Sequence, residues 1–201
     1  MMMPNEHGPS YNILKTLIVG REFAGKTNYI GNLLLREEFY LNEYDGNDIY
    51  VVCPQSTLDD RIWKTIIENK GIPKENIHSS FSDEELHELF CTLANRETEK
   101  PIIVVFDDFP FIKSFPPPKF PIEFVTNGKS YRISLIITAK MYSSIPEIIR
   151  EGVSEYILFD CSQKQLNLIY NDIGQQTKDE FCRAFREATN KPHTFMSVNR
   201  K

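Results

Sequence analysis

The feature that most constrains this chain is the stretch from Leu17 to Thr27, where a short apolar run leads into Gly-x-x-x-x-Gly-Lys-Thr. This spacing is the P-loop signature, which cradles the phosphates of a nucleotide. A glycine-framed loop can turn several backbone N–H groups toward one phosphate chain, because glycine accepts positive φ and has no Cβ. The residues after Thr27 predict a helix to Leu35 whose amino terminus faces the phosphates. The alternative is a glycine-rich strand-to-helix turn without a ligand.

Within the loop, two side chains carry the expected chemistry. Lys26 is predicted to reach the β- and γ-phosphates and so to be catalytic, and the hydroxyl of Thr27 is predicted to ligate Mg²⁺. The predicted nucleotide-binding segment is the whole loop: Gly20, Arg21, Glu22, Phe23, Ala24, Gly25, Lys26 and Thr27.

Length and composition indicate one soluble domain. The 201 residues are 41% apolar and 25% charged, which predicts a single P-loop domain over residues 11–201 after a flexible tail at 1–10. The net charge of −5 argues against a surface coated for nucleic acid, but a local basic strip is compatible with it. The four cysteines form no C-x-x-C pair, which favours reduced thiols in a cytoplasmic setting, not a secreted one. The absence of an apolar run of about 18 residues predicts no membrane association.

A second motif follows a predicted buried strand. Five apolar residues, Ile102–Phe106, run directly into Asp107 and Asp108. In open α/β sheets the carboxyl ends of the strands are where ligands bind. Asp107 is predicted to hold Mg²⁺, as an acid in this position does in P-loop enzymes, and Asp108 to orient or deprotonate the attacking water. The alternative is a strand that simply ends in an acidic turn.

The other elements are read from hydrophobic periodicity. Strands are predicted at 13–19, 49–53, 133–138 and 156–159, with an edge strand at 193–198, and helices at 58–69, from Ser82 onward, at 163–173 and at 178–189. The two motifs lie about 80 residues apart with one intervening strand. The predicted fold is therefore a three-layer α/β/α sandwich around a mostly parallel sheet, the additional-strand type of P-loop NTPase, with an edge strand near the carboxyl terminus.

The segment from Phe109 to Arg132 is predicted to be a long irregular loop, and long loops in compact domains are often functional. Phenylalanines alternate in it with four cations, Lys113, Lys119, Lys129 and Arg132, which are the candidate DNA-facing residues. Alternatively, the loop packs its phenylalanines on the domain.

The motifs together resemble those of a known superfamily. Leu17–Thr27, Ile102–Asp108, Ile133–Thr138 and Ser144–Arg150 resemble the FtsK/HerA superfamily, and the chain is most similar to the poxvirus-type genome-packaging ATPases of large DNA viruses and virophages. The resemblance covers roughly residues 13 to 200 and implies ATP and Mg²⁺ as cofactors. It also implies a homo-oligomeric ring, a pentamer or hexamer, that drives double-stranded DNA into a capsid with capsid vertex proteins as partners. The expected location is the infected-cell cytoplasm, a virus factory or the virion.

Three positions depart from that pattern or complete it. Many members have Glu where Asp108 stands, and the shorter side chain places the water differently. Members commonly carry a polar sensor, often Gln, after the fourth strand, and here Thr138 and Lys140 are the candidates. Hydrolysis also needs a cation opposite the transferring phosphoryl group. Arg150 is the candidate for this role in a neighbouring subunit, with a surface ion pair as the alternative, and Arg21 is the weaker candidate.

Other functions stay open at this point. A nucleotide or small-molecule kinase usually carries an arginine-rich lid, of which Arg183 and Arg186 are the only hint. A GTPase is less favoured, because no Asn-Lys-x-Asp motif follows the fourth strand. An ATP-binding assembly or scaffold protein with little turnover would not need Asp108 or Arg150.

Overall fold

The computed structural model describes residues 13–79, 82–98, 100–109 and 122–200. Within these ranges, no helix combines the length and apolar character needed to cross a membrane.

The centre of the molecule is one seven-stranded sheet. Its strands are β1 (Lys15–Val19), β2 (Ile49–Val52), β3 (Ile77–His78), β4 (Ile102–Phe106), β5 (Ile133–Ala139), β6 (Glu155–Phe159) and β7 (Phe195–Asn199). Their order across the sheet is β3-β2-β4-β5-β1-β6-β7, and every pair is parallel except β6 with β7. Because β5 lies between β1 and β4, the predicted additional-strand arrangement is confirmed.

Helices cover both faces of this sheet. They are α1 (Lys26–Leu35), α2 (Gln55–Leu58), α3 (Arg61–Lys70), α4 (Asp83–Ala94), α5 (Ile122–Asn127), α6 (Glu147–Gly152), α7 (Gln163–Ile173) and α8 (Lys178–Ala188). The buried side chains of α1 and α3 join one core cluster, while those of α4 to α8 join the other. The chain is therefore the predicted three-layer sandwich, with α1 and α3 sharing one face.

The alternation along β4 explains how the sheet aims its side chains. Ile103 and Val105 face the α1/α3 side, whereas Val104 and Phe106 face the α4–α8 side, and all are fully buried. Strands that are covered on both faces need apolar residues at every position, which is why this run is continuous. Continued by one residue, the same alternation directs Asp107 toward α1 and α3.

The prediction of an irregular loop from Phe109 to Arg132 is wrong for its second half. Residues 122–127 form α5, and Gly128–Tyr131 forms a 3-10 turn. The physical reason is burial, since Phe124 and Val125 are almost completely enclosed and Phe124 packs edge-on against Phe106. Residues 110–121, which include the predicted DNA-facing Lys113 and Lys119, lie outside the described ranges.

Several smaller boundaries also differ from prediction. The helix expected at 58–69 begins at Arg61, and Leu58 instead ends the short helix α2, because the carboxylate of Asp60 caps α3 by accepting from the backbone N–H of Ile62 at 2.7 Å. The two-residue strand β3 was not predicted, since it is too short to show a period. The β7 edge strand begins two residues later than predicted.

Candidate active site

The P-loop joins β1 to α1 at the carboxyl edge of the sheet. Gly25 has φ +108°, and a Cβ on Gly20 would lie 2.6 Å from that of Phe159, so neither position accepts a side chain easily. Lys26 is only 5% exposed, and its ammonium donates to the carbonyl of Arg21 at 3.0 Å. Burial lowers the pKa of Lys26, while the nearby carboxylates of Asp108 and Asp107 oppose that shift. The loop therefore folds back on its own lysine, which faces the space where phosphates bind in proteins of this motif.

The predicted metal carboxylate, Asp107, is fully buried beside this loop. Its Oδ2 accepts from the hydroxyl of Thr27 at 2.9 Å and from the indole N–H of Trp63 at 2.8 Å. Its Oδ1 accepts from the hydroxyl of Thr138 at 2.6 Å. The structure thus brings together Thr27 and Asp107, which lie 80 residues apart in the chain.

Strand register explains why Thr138 meets Asp107. Phe106 of β4 pairs with Ile137 of β5, so the next residue of each strand stands side by side at the carboxyl edge. Ile136 faces α1 and α3, and Thr138, two residues later, faces the same way. The hydroxyl of Thr138 also accepts from the backbone N–H of Asp108 at 2.9 Å, and so connects the two carboxylate residues.

Asp108 differs from Asp107 in backbone conformation, exposure and hydrogen bonding. Its backbone is left-handed, with φ +49°, and its side chain is 26% exposed. Its Oδ1 lies 4.0 Å from the ammonium of Lys26 and its Oδ2 4.0 Å from that of Lys140. The buried Oδ1 has no hydrogen-bond partner among the described residues. Burial raises the pKa of Asp108 above its usual value, and the two lysines only partly offset this.

These side chains surround one cleft of about 510 Å³. Its walls contain the predicted Glu22, Phe23, Gly25, Lys26, Thr27, Asp108 and Lys140, together with Asn28, Ser56, Thr57, Asp60, Ile62 and His193. An open cavity lined by a phosphate-binding loop, two lysines and three carboxylates can hold a polyphosphate and present a base to a water molecule.

Sequence reasoning did not identify three of the residues around this cleft. Trp63 lies behind Asp107, Asp60 caps the wall helix, and the Nδ1 of His193 lies 3.2 Å from the carbonyl of Ala24 in the P-loop. A buried tryptophan usually finds a partner for its N–H, but nothing in the sequence specifies which one. His193 approaches through the turn before β7, which is distant in the chain, so only the tertiary structure reveals it.

No protein-family model matches the sequence, and no curated protein sequence matches it either. Solved structures do match its fold. The genome-packaging NTPase B204 from Sulfolobus turreted icosahedral virus 2, in complex with ATP-gammaS, superposes with a TM-score of 0.62 at 13% identity, over 92% of this chain and 90% of that chain. B204, the DNA-packaging ATPase from Sulfolobus turreted icosahedral virus, gives a TM-score of 0.56 at 13% identity, over 92% of this chain and 91% of that chain. ATPases 2 and 3 of EssC from Geobacillus thermodenitrificans give 0.53 at 19% identity, over 81% of this chain and 34% of that one.

The fold is that of a P-loop NTPase. The likeness to viral genome-packaging ATPases that the motifs indicated is confirmed at the level of fold, and it extends over almost the whole of this chain and of B204.

In this structure, the predicted arginine finger lies on the other side of the sheet. Arg150 is in α6, which packs on the α4–α8 face and leads into the amino end of β6. Its guanidinium pairs with Asp172 and lies 5.0 Å from the ring centre of Tyr142, whose hydroxyl donates to Asp172 at 2.9 Å. The Arg150 side chain is 13% exposed, and its Nε is buried without a hydrogen-bond partner among the described residues. The structure therefore does not bring Arg150 to the P-loop of its own subunit.

The remaining predicted cations that fall within the described ranges are divided between the two edges of the sheet. At the cleft, Lys140 pairs with Glu22 at 3.2 Å, which raises the lysine pKa, and Arg21 lies 3.5 Å from Asp160 in an exposed pair. Lys129 and Arg132 directly precede β5, so they lie at the amino edge, away from the P-loop.

Proposed function

We propose that this protein is an ATP-hydrolysing motor that packages double-stranded viral DNA. One observation carries the hydrolytic part of the proposal. Thr27 and Asp107 form a hydrogen bond between two distant motifs. The adjacent Asp108 lies 4.0 Å from each of two lysines and keeps a buried oxygen without a hydrogen-bond partner among the described residues. An unpaired buried oxygen in a cleft is costly to maintain unless a ligand completes it.

For the nucleotide, the P-loop residues have direct roles. Its backbone N–H groups and the ammonium of Lys26 would bind the phosphates of ATP. The hydroxyl of Thr27 and the carboxylate of Asp107 would hold Mg²⁺, since they are oxygen ligands of the kind this ion prefers and lie 2.9 Å apart. Bound Mg²⁺ neutralises charge on the phosphates.

Asp108 is the proposed general base. It would accept a proton from the attacking water, and the raised pKa of its carboxyl group makes it a stronger base than an ordinary aspartate. Thr138 would hold the two carboxylate residues in one geometry through its two hydrogen bonds. Lys140, 4.0 Å from Asp108, would sense the charge of the γ-phosphate region from the far wall of the cleft.

The cation that acts in trans stays a prediction. Arg150 is the first candidate, but its guanidinium pairs with Asp172 on the face opposite the cleft, so it could act only on the site of a neighbouring subunit. Arg21 lies within the P-loop, and its ion pair with Asp160 is exposed to solvent. A finger of this kind contributes on the order of 10³-fold or more to turnover.

The DNA and the ring are proposed from the structural likeness. B204 is a DNA-packaging ATPase, and its superposition on this chain covers 92% of this chain and 91% of B204. From this likeness we propose that the present chain forms a homo-oligomeric ring and moves double-stranded DNA. We also propose capsid vertex proteins as its partners and the infected cell as its location. Lys113, Lys119, Lys129 and Arg132 are the proposed DNA-contacting residues.

No geometry favours the kinase alternative. Arg186 donates to Gln163 at 3.1 Å, and α8, which carries both Arg183 and Arg186, packs on the face opposite to α1. Neither arginine therefore forms a lid over the cleft in the described structure.

The test is an ATPase assay with and without double-stranded DNA, run beside light scattering. We expect phosphate release that increases with DNA and with protein concentration as subunits assemble. A monomer that hydrolyses ATP at a rate indifferent to DNA would refute the motor. Transfer of phosphate to a nucleoside monophosphate would favour the kinase, and binding without turnover would favour the scaffold.

A further inference from the structure

The single tryptophan of the chain, Trp63, is completely buried on α3 and directed toward the sheet. Its indole N–H donates to Oδ2 of Asp107 at 2.8 Å. The residue therefore connects the helical layer to the carboxylate proposed to hold Mg²⁺.

Among the donors to Asp107, the indole has a distinct character. The hydroxyls of Thr27 and Thr138 can rotate and can accept as well as donate, whereas an indole N–H is only a donor. Trp63 and Asp107 are both 0% exposed, so the ring has no room to turn away and water does not replace the bond. The indole is thus the fixed donor that sets the direction of the carboxylate.

The helix that carries Trp63 is also a wall of the nucleotide cleft. Asp60 caps its first turn, and both Asp60 and Ile62 line the cavity directly before Trp63. Gly31 of α1 faces Ile62 across the contact between the two helices, where an added Cβ would be in ordinary van der Waals contact at 3.4 Å. Trp63 therefore connects this wall helix to Asp107.

We propose that Trp63 is a positioning residue for the metal site, holding Asp107 turned toward Thr27. The inference rests on the proposed function, because it concerns the same Mg²⁺–nucleotide site. A hydrogen bond to a charged group contributes more than one between neutral groups, and its loss leaves a buried carboxylate less well compensated. Removal of such a supporting contact commonly costs about 10- to 100-fold in metal affinity.

The test compares Trp63→Phe with Tyr44→Phe. Tyr44 is a matched control, because it is 2% exposed and bonds to Ser134 at 2.9 Å, away from Asp107. Both variants remove one buried hydrogen-bonding group, and Trp63→Phe also removes part of the ring. We measure the Mg²⁺ concentration for half-maximal hydrolysis, the rate at saturating Mg²⁺, and ATP affinity in EDTA.

For Trp63→Phe we expect the half-saturating Mg²⁺ concentration to rise about 10- to 100-fold, with metal-free ATP affinity changed by less than about two-fold. Tyr44→Phe should leave both values near those of the unsubstituted protein. A folded Trp63→Phe protein with an unchanged Mg²⁺ requirement would overturn the inference. So would a loss of ATP affinity in EDTA equal to the loss of metal affinity, since that indicates general damage to the cleft.

If Trp63→Phe does not fold, an isostere decides the question. Because the chain has one tryptophan, benzothienylalanine can replace it uniquely, with sulfur in the place of N–H and nearly the same ring volume. The same rise in the Mg²⁺ requirement is expected, and an unchanged requirement would overturn the inference. Absence of ATP hydrolysis by the unsubstituted protein would instead refute the proposed function, so the two failures are distinguishable.

Discussion

Two clusters of charged side chains lie on opposite faces of the sheet, and they differ in how completely they are paired. In the cleft, the ammonium of Lys26 and the carboxylate of Asp108 are 4.0 Å apart, beyond hydrogen-bond distance. Behind the sheet, Arg150 and Asp172 are in direct contact, and Tyr142 touches both. In the folded protein the charges of the Arg150–Asp172 cluster are therefore almost completely paired. The cleft cluster instead keeps charge and one carboxylate oxygen available for a ligand.

The comparison distinguishes two roles of a buried charge, which can stabilise the fold or act on a ligand. Asp172 can serve stability, because its partner is always present. Burial shifts the pKa of Lys26 downward and that of Asp108 upward, so it disfavours the charged form of each side chain. Such opposed shifts are typical of sites that act on a ligand. The substitutions below test whether the first cluster serves turnover and the second serves folding.

The largest expected effect is that of Lys26→Met on turnover. Loss of the ammonium removes the charge that faces the phosphates, and we expect hydrolysis to fall on the order of 10³-fold. The melting temperature should stay close to that of the unsubstituted protein, because among the described residues Lys26 makes no ion pair shorter than 4.0 Å. Steady-state phosphate release and thermal unfolding are measured on the same preparation. A large loss of stability would break the comparison.

The second cluster should respond in the opposite way. Arg150→Met and Asp172→Asn each leave one charged partner unpaired in a mostly buried place, and each should lower the free energy of unfolding by about 2–3 kcal/mol. Denaturant titration measures this loss, and turnover is corrected for the folded fraction. We expect the two variants to behave alike. Turnover lost by Arg150→Met and kept by Asp172→Asn would identify Arg150 as the arginine finger.

A smaller effect is expected where Thr138 connects the two aspartates. Thr138→Val keeps the branched shape but removes the hydroxyl that donates to Asp107 and accepts from the Asp108 N–H. We expect about a 10-fold fall in turnover, the lower end of what such supporting contacts contribute. Rapid-mix phosphate release at saturating ATP measures it. Recovery by Thr138→Ser would show that the hydroxyl is responsible.

The smallest effect concerns pH. The base must be ionised, so activity is lost as the pH falls through the raised pKa of Asp108. Lys140 lowers that pKa, and Lys140→Met should therefore raise it further and move the acid limb of the rate profile to higher pH. Lys100→Met is the matched control, because Lys100 is similarly exposed but pairs with Asp45 and Asp48. An equal shift in both variants would contradict a local effect.

Much of the fold could be predicted because its signals are local. The apolar run of β4 ends at two aspartates, and the glycines of the P-loop have fixed spacing. The additional-strand sheet could be predicted from these two motifs and is confirmed. The helix α5 was missed because its apolar residues follow a proline-rich stretch that obscures the period. The strand β3 has only two residues and shows no period at all.

Residues of the candidate site could be predicted only where they belong to one of the two sequence motifs. Thr27, Asp107 and Asp108 follow from spacing, but the indole of Trp63 reaches Asp107 across 44 residues. His193 reaches the P-loop across 169 residues, from the turn before the last strand. Contacts of this kind depend on which helix packs against which strand. A single sequence contains no pattern that specifies this.

The most direct test of the central claim, a hydrolytic site built on Asp108, is Asp108→Asn with ATP binding and ATP turnover measured on one preparation. Asparagine tolerates the left-handed backbone of this position and keeps the N–H bond to Thr138, but it cannot accept a proton. We predict ATP affinity within about two-fold of the unsubstituted protein and turnover reduced about 10²- to 10⁴-fold. Turnover near the normal rate, with ATP bound, would contradict the account.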